Sequence, residues 1–362
     1  MNCESKKYRR IVVKIGSNVL TREDGRPDTT RISALVDQLA RLHRAGTEFI
    51  LVSSGAVASG RSLLETRVGR IDTVSARQLF SAVGQVKLLN RYYDLFNEYG
   101  IACGQVLTTK ESLSTRRQYL NQRNCMEAML AAGVVPIVNE NDTISVTELM
   151  FTDNDELSGL VAAMMGAEAL VILSNIDGIY DGSPSDPASQ VIRRVAPGRD
   201  LSQYIDTARS SRGRGGMTTK SRISSRAAGE GIEVVIANGR RDNILTDLIL
   251  TDRDVVCTRF EAAPASGVKK WIASSEGFAK GALHLDAGAA AAVSQSKAAS
   301  ILAVGVTAVE GDFERDDIVR ILSPEGAPLG VGRISCDSAT ARRNLGRKGL
   351  KPLIHCDYLY LE

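Results

Sequence analysis

Two groups of carboxylates and carboxamides lie close together in this chain: Asn139-Glu140-Asn141-Asp142, then Asp153-Asn154-Asp155. Carboxylates accept hydrogen bonds from ammonium groups, and side-chain amides both donate and accept, so such a set suits a small polar ligand. Capping explains one acid at a helix start; seven such side chains in two neighbouring segments exceed that need. Calcium is a poor fit, because an EF-hand loop begun at Asp153 needs glycine at its sixth position and finds Ser158.

Three further segments carry anion-binding chemistry. In Lys14-Ile15-Gly16-Ser17-Asn18, small residues let backbone N–H groups approach an anion, and the lysine adds a point charge. The same residues also read as a solvated lysine followed by a turn. Ser53-Ser54-Gly55-Ala56 can hold a carboxylate or phosphate, although in isolation it is a helix cap before it is a binding site. Gly213-Arg214-Gly215-Gly216-Met217-Thr218-Thr219-Lys220 runs a glycine-rich loop into a helix with Lys220 on its first turn. Backbone donors, a positive helix end and a cation then converge on one anionic group; the alternative is a flexible surface loop. It is not a Walker A loop, since G-x-x-x-x-G-K-[ST] is absent from the chain.

These residues need a frame, and a rhythm over the first 240 or so residues supplies one: helical pattern, glycine, β-rich run. Ile32, Leu35, Val36, Leu39 and Leu42 fall at helical spacing, and Gly46 precedes Phe49-Ile50-Leu51-Val52. Gly100, Gly133, Gly166 and Gly231 stand in the same place before the runs 101–107, 134–138, 169–173 and 232–237. A glycine just past a helix supplies the left-handed cap, and an apolar run after it reads as a strand buried on both faces. With Ile11-Val12-Val13 as the opening strand, the fold class is α/β, a mostly parallel sheet sandwiched by helices. Asn139 to Asp142 should form the polar loop ending one strand, and Asp153 to Asp155 should lead into a helix bearing Leu157, Leu160, Val161 and Met164.

The rhythm stops at the small-residue stretch Glu261-Ala262-Ala263-Pro264-Ala265-Ser266-Gly267. Short strand-like runs follow at 282–285, 304–309, 318–322, 329–334 and 353–360. The expected organisation is an α/β domain over 1–262, a linker over 263–268 and a small β-rich domain over 269–362.

At 362 residues, with 43% apolar and 24% charged residues, the composition is that of an ordinary globular protein. A net charge of +3 makes no electrostatic case for nucleic acid or membrane. No membrane-length apolar stretch and no signal-peptide core are apparent, and six cysteines without C-x-x-C spacing fit a reducing cytoplasm. Three scattered histidines argue against a zinc site or a histidine-based triad, and no metal-ligating set is expected.

Together, Lys14-Ile15-Gly16-Ser17, Ser53-Ser54-Gly55-Ala56, Val138 to Asp142, Asp153-Asn154-Asp155 with Leu157-Ser158, and Gly215 to Lys220 resemble the amino-acid kinase family. Within it the order and spacing are similar to those of the glutamate 5-kinases. The tail resembles a PUA domain at Lys269-Lys270-Trp271-Ile272, Leu285 to Ala289 and Val309 to Phe313. The resemblance implies transfer of the ATP γ-phosphoryl group to the γ-carboxylate of L-glutamate, with Mg²⁺ bridging phosphate oxygens. That acceptor is already ionised at neutral pH, so no general base is needed and the scarcity of histidine is no obstacle.

By the same resemblance, Lys14 and Lys220 neutralise the moving phosphoryl group and Asp155 orients them, with Asp153 a weaker candidate. Ser54, Asn139, Asp142 and Asn154 hold glutamate, Asp142 taking its ammonium. Lys14, Gly16, Ser174, Asn175, Arg214, Gly215, Gly216, Met217, Thr218, Thr219 and Lys220 hold the nucleotide. Two positions depart from the family pattern: Asn175 stands where an aspartate is usual, losing a charge, and Arg214 where a small hydroxyl residue is common. The resemblance also implies a homo-oligomer (dimer or tetramer), glutamyl phosphate reductase as a partner, and proline inhibition through the segment from Ser114 to Asn121. Alternatives are an acetylglutamate, carbamate or uridylate kinase of the same fold, or RNA binding by the tail. The tail from Lys269 has twelve Lys/Arg against eleven Asp/Glu, which speaks against RNA despite the cluster of Arg342, Arg343, Arg347, Lys348 and Lys351.

Overall fold

The computed structural model describes residues 7–64, 71–113, 116–144, 154–184, 186–201, 204, 217–264, 279–295 and 299–361. The calls on Asp153, Arg214, Gly215, Gly216, Lys269 to Ile272, Ser114 and most of the linker lie outside them.

Eight strands form the first sheet: β1 (Arg10–Ile15), β2 (Glu48–Ser53), β3 (Cys103–Thr108), β4 (Val135–Glu140), β5 (Ala169–Ser174), β6 (Arg194–Val195), β7 (Glu233–Asn238) and β8 (Thr258–Phe260). Their order is β3-β4-β2-β1-β5-β7-β8-β6, and every pairing is parallel except β7 with β8. The glycines at 46, 100, 133, 166 and 231 all take φ between 59° and 82°, as the helix-glycine-strand rhythm requires. The α/β expectation therefore holds. β4 differs from expectation in one respect. It extends through Asn139 and Glu140, which are buried strand residues rather than loop residues, because β3 pairs with β4 as far as Thr108 and Glu140.

Ten helices among the described residues serve this sheet and the C-terminal one: α1 (Ser17–Leu20), α2 (Thr29–Arg44), α3 (Ala56–Leu64), α4 (Thr73–Asn97), α5 (Arg116–Ala131), α6 (Asn154–Met164), α7 (Met217–Gly229), α8 (Ile244–Ile249), α9 (Ala287–Gln295) and α10 (Ser338–Arg343). Ile11, Val13 and Ile15 share a core with Leu35 and Leu39 of α2, Tyr92 and Phe96 of α4 and Leu245 of α8. Strand alternation then turns Val12 and Lys14 to the opposite face, where α6 packs on β1 and β5. Lys14 thus meets α6 because its neighbours in β1 are apolar and needed in the other core layer.

α3 and α4 approach through glycine. A Cβ on Gly84 would stand 1.8 Å from the Ala56 carbonyl oxygen, and one on Gly60 would stand 1.8 Å from that of Phe80. No side chain fits at either position. α4 begins on an exposed Asp72 cap, whose Oδ1 accepts from the N–H groups of Val74 (3.0 Å) and Ser75 (2.9 Å).

By internal contact the described chain divides into two compact units, one of residues up to 109 and from 123 to 264, the other of 110–122 and the residues after 264. The second sheet has the order β10-β9-β11-β12-β13: β9 (Gly281–Leu285), β10 (Val306–Gly311), β11 (Ile318–Leu322), β12 (Pro328–Arg333) and β13 (Leu359–Leu361). Leu283, Leu285, Val319, Ile321 and Ile354 lie in its core. The expected strand over 353–360 shrinks to β13, because a 3₁₀ turn at Cys356–Tyr358 interrupts it and Ile354 makes only an isolated bridge with Ile301. α9 and α10 add helix to a tail expected to be β-rich. Part of the basic cluster is engaged locally: Arg342 Nη2 donates to the Gly311 carbonyl at 2.5 Å and Arg343 Nη2 to Thr340 Oγ1 at 3.1 Å. Among the described residues no helix is long and apolar enough to cross a membrane.

Candidate active site at the carboxyl edge of the sheet

Strand register brings the motifs together. Ile15 lies beside both Ser53 and Leu173, and Val52 beside Val138. The ends of β1, β2, β4 and β5 therefore bring Lys14, Ser54, Asn139 and Ser174 to one edge. β2 and β5 flank β1 on opposite sides, and the carboxyl edge at such a reversal of strand order is where open α/β sheets bind ligands. Gly55 makes the turn from β2 into α3 at φ 104°, a conformation that a side chain would strain.

The charged half of the site centres on Asp155, which is fully buried in the first turn of α6. Its Oδ1 pairs with Lys14 Nζ at 2.5 Å and its Oδ2 with Lys220 Nζ at 2.8 Å. Burial opposes the charge on Asp155, but the two ammonium groups outweigh it and hold the carboxyl below the usual aspartate range. Lys220 arrives on the first turn of α7. Gly159, one turn along α6 from Asp155, lets α7 come close, since a Cβ there would sit 3.0 Å from Ile223 Cγ2. Gly16 completes this side: its N–H donates to the Leu173 carbonyl at 3.1 Å, and a Cβ on it would lie 3.7 Å from Lys14 Nζ.

The neutral half is a mesh of amides and hydroxyls. Asn154 Nδ2 donates to Ser54 Oγ (3.0 Å), to Asn139 Oδ1 (2.9 Å) and to the Ser53 carbonyl (3.3 Å). Asn139 Nδ2 passes the chain on to Gln85 Oε1 at 2.7 Å, while Asn139 Oδ1 also accepts the Glu140 N–H. Ser53 Oγ shares a hydrogen bond with Tyr92 OH at 2.9 Å. Asp142 is held by Ser81 Oγ at 3.0 Å and by an ion pair with Arg77, whose Nη2 also reaches Glu140 Oε2 at 3.1 Å.

Sequence reasoning missed Arg77, Ser81, Gln85 and Tyr92. All stand on one stripe of α4, and the first three recur at intervals of four, which places them one above the other. Ser81 and Gln85 are polar residues set directly beside Phe80, Gly84 and Leu88, which recur at intervals of four, and this spacing is the signal that could have found them. Ser174 and Asn175 stand at the end of β5, 3.5 Å apart from Oγ to Oδ1, and the Ser174 carbonyl accepts the Gly239 N–H at 2.8 Å. Just beyond, Asp177 Oδ1 accepts from Asn238 Nδ2 (3.1 Å) and Arg241 Nε (2.9 Å), a cluster also absent from the sequence reading. Met217, Thr218 and Thr219 form the start of α7.

An anionic ligand can thus meet two lysines fixed by one carboxylate, next to a group of amides and an acid-arginine pair. Among the described residues no group of three or more His, Cys, Asp or Glu is placed to hold a metal ion.

The amino acid kinase family model matches residues 9–238, and the PUA domain model residues 281–353. A curated relative from Bacteroides thetaiotaomicron, named glutamate 5-kinase, is 64% identical over 98% of this chain and 99% of its own. Another of that name, from Chlorobaculum tepidum, is 46% identical over 98% of each chain. A solved structure of isopentenyl phosphate kinase aligns with a TM-score of 0.50 at 16% identity, covering 69% of this chain and 99% of that one; this is a likeness of fold alone. On a family match spanning β1 to β7 and full-length relatives of such identity, the chain belongs to the amino acid kinase family, among its glutamate 5-kinases.

Proposed function

We propose that this chain transfers the γ-phosphoryl group of ATP to the γ-carboxylate of L-glutamate, giving L-glutamyl 5-phosphate, the first step of proline biosynthesis. One observation carries the mechanism: the Lys14–Asp155–Lys220 clamp abuts the Ser54–Asn154–Asn139 mesh, and α6 supplies adjacent residues to both. Two anions must be brought together for this reaction, and charge on the moving phosphoryl group must be offset. Lys14 and Lys220 supply that charge, and Asp155 keeps both ammonium groups aimed at one place. Ser54, Asn139, Asn154 and Asp142 hold the acceptor, which sets its carboxylate beside the phosphoryl group that the lysines bind. Gly16, Ser174, Asn175 and the segment from Arg214 to Thr219 hold the nucleotide in this reading.

The residues present do not fit a resident metal site. Both Asp155 oxygens face lysines, and no acidic cluster stands beside them among the described residues. Mg²⁺ belongs here to the substrate, as its complex with ATP.

The division into a catalytic unit over 1–262, a linker over 263–268 and a PUA-like unit over 269–362 belongs to the same reading. So do cytoplasmic location, assembly as a dimer or tetramer, proline inhibition, and hand-over of the reactive acyl phosphate to glutamyl phosphate reductase. The deciding assay supplies ATP, Mg²⁺, glutamate and hydroxylamine and measures γ-glutamyl hydroxamate. Folded protein that forms none would refute the proposal, and proline added to the same assay tests inhibition.

A further inference from the structure

The end of β4 presents two buried acids, and α4 reaches both with one arginine. Arg77 Nη2 lies 3.1 Å from Glu140 Oε2 and forms an ion pair with Asp142 Oδ1, while Ser81 Oγ holds the other Asp142 oxygen at 3.0 Å. The Arg77 side chain keeps 18% of its exposure, against 4% for Glu140 and 7% for Asp142. The arginine is therefore the most open member of the group. A guanidinium carries its N–H donors in a planar fork whose geometry matches a carboxylate.

The head of an α-amino acid bears an ammonium and a carboxylate on one carbon. An aspartate beside an arginine is its complement, an acceptor-only anion next to a donor fork that suits carboxylate geometry. Glu140 anchors Arg77 from inside the fold, so the guanidinium stays in place when an ammonium competes for Asp142. We propose that Arg77 is a specificity-determining residue, binding the α-carboxylate of the amino-acid substrate while Asp142 takes the α-ammonium. The assignment rests on the glutamate reading above and deepens it. It also explains why Arg77 lies at the accessible end of the α4 stripe, whereas Ser81 and Gln85 below it are buried against Asp142 and Asn139.

An arginine that only neutralised Asp142 would leave the same static contacts, and trimming the substrate separates the two roles. 4-Aminobutyrate keeps the ammonium and the reacting carboxylate but lacks the α-carboxylate. The test compares the full-length wild type with Arg77→Gln and Arg77→Lys, measuring hydroxamate formation from glutamate and from 4-aminobutyrate. Where 4-aminobutyrate is not turned over, its inhibition constant against glutamate replaces the rate. Arg77→Gln should raise the glutamate KM about tenfold or more, the worth of a charged hydrogen bond, with kcat and the ATP KM little changed. The constant for 4-aminobutyrate should hold, so the preference for glutamate falls by the same factor. Arg77→Lys should fall between, keeping the charge without the fork. Parallel losses for both compounds would overturn the assignment and reduce Arg77 to support for Asp142. If thermal unfolding shows that Arg77→Gln does not fold, Arg77→Lys decides by the same ratio. Wild-type protein that makes no hydroxamate from glutamate would instead overturn the glutamate reading itself, and this assignment with it.

Discussion

The two halves of the candidate site solve opposite electrostatic problems. Around Asp155 the protein gathers three formal charges, a single buried anion in direct contact with two cations. Around Asn154 it uses neutral amides and hydroxyls, each satisfied by the next, and confines charge to the Arg77 end. A site for polyphosphate needs positive potential that does not collapse before the ligand arrives, and a buried carboxylate between lysines keeps them fixed. A site that selects a small zwitterion gains more from directional hydrogen bonds, whose loss leaves an unsatisfied buried group. Damage to the first half should therefore appear in turnover, and at its central carboxylate in stability as well, whereas damage to the second should appear mainly in substrate affinity.

The largest expected effect comes from Asp155→Asn, which strands two lysines without their shared anion. It should cost about 3–5 kcal/mol in chemical denaturation, the usual penalty for removing one partner of a buried ion pair. Because the folded-state pKa of Asp155 is depressed, its stabilisation is full above the unfolded-state pKa and is lost as pH falls through the folded value. The stability difference between wild type and variant should accordingly narrow in acid. A difference that stayed constant with pH would remove the clamp from the account.

Lys220→Ala comes next, with turnover reduced about 10²- to 10³-fold, the scale of losing one group that stabilises the transition state. Its melting temperature should move far less, since Lys14 still partners Asp155. Near-normal ADP release would contradict the role given to Lys220. Gly84→Ala probes the other half from a distance by pushing α4 off α3. Overpacking should cost about 1–3 kcal/mol, and the glutamate KM should rise more than the ATP KM, because α4 carries Arg77, Ser81 and Gln85. Equal rises would mean that α4 does not belong to the acceptor half alone. The smallest effect is expected from Tyr92→Phe, which removes one buried hydrogen bond to Ser53 at a cost of about 1 kcal/mol. Circular-dichroism melts and glutamate KM measured on one preparation would check it; a large loss of turnover would place Tyr92 closer to the chemistry than the geometry does.

Much of this was readable from the chain alone. Glycine caps and apolar runs reveal a helix-strand alternation, because backbone conformation and burial period are local properties. The clusters at Asn139–Asp142 and Asp153–Asp155, and the two lysines, were also legible, since polar residues at the end of an apolar run have few structural reasons to be there. The contribution of α4 was not. Arg77, Ser81, Gln85 and Tyr92 look like ordinary helix-surface residues until the Gly60–Gly84 crossing turns that stripe toward β2 and β4. Likewise, sequence placed Asn139 and Glu140 in a loop, where pairing with β3 keeps them in a buried strand.

Sequence by itself thus determined the elements, the family pattern and the chemical types available at the sheet edge. Only the tertiary structure decided which partners the rest of those groups take: Asn154 between Ser54 and Asn139, and Arg77 between Glu140 and Asp142. The reason is physical. Period and turn chemistry act over a few residues, whereas these partners lie on different strands and helices, and meet only when parallel register and glycine-mediated helix approach bring the ends together.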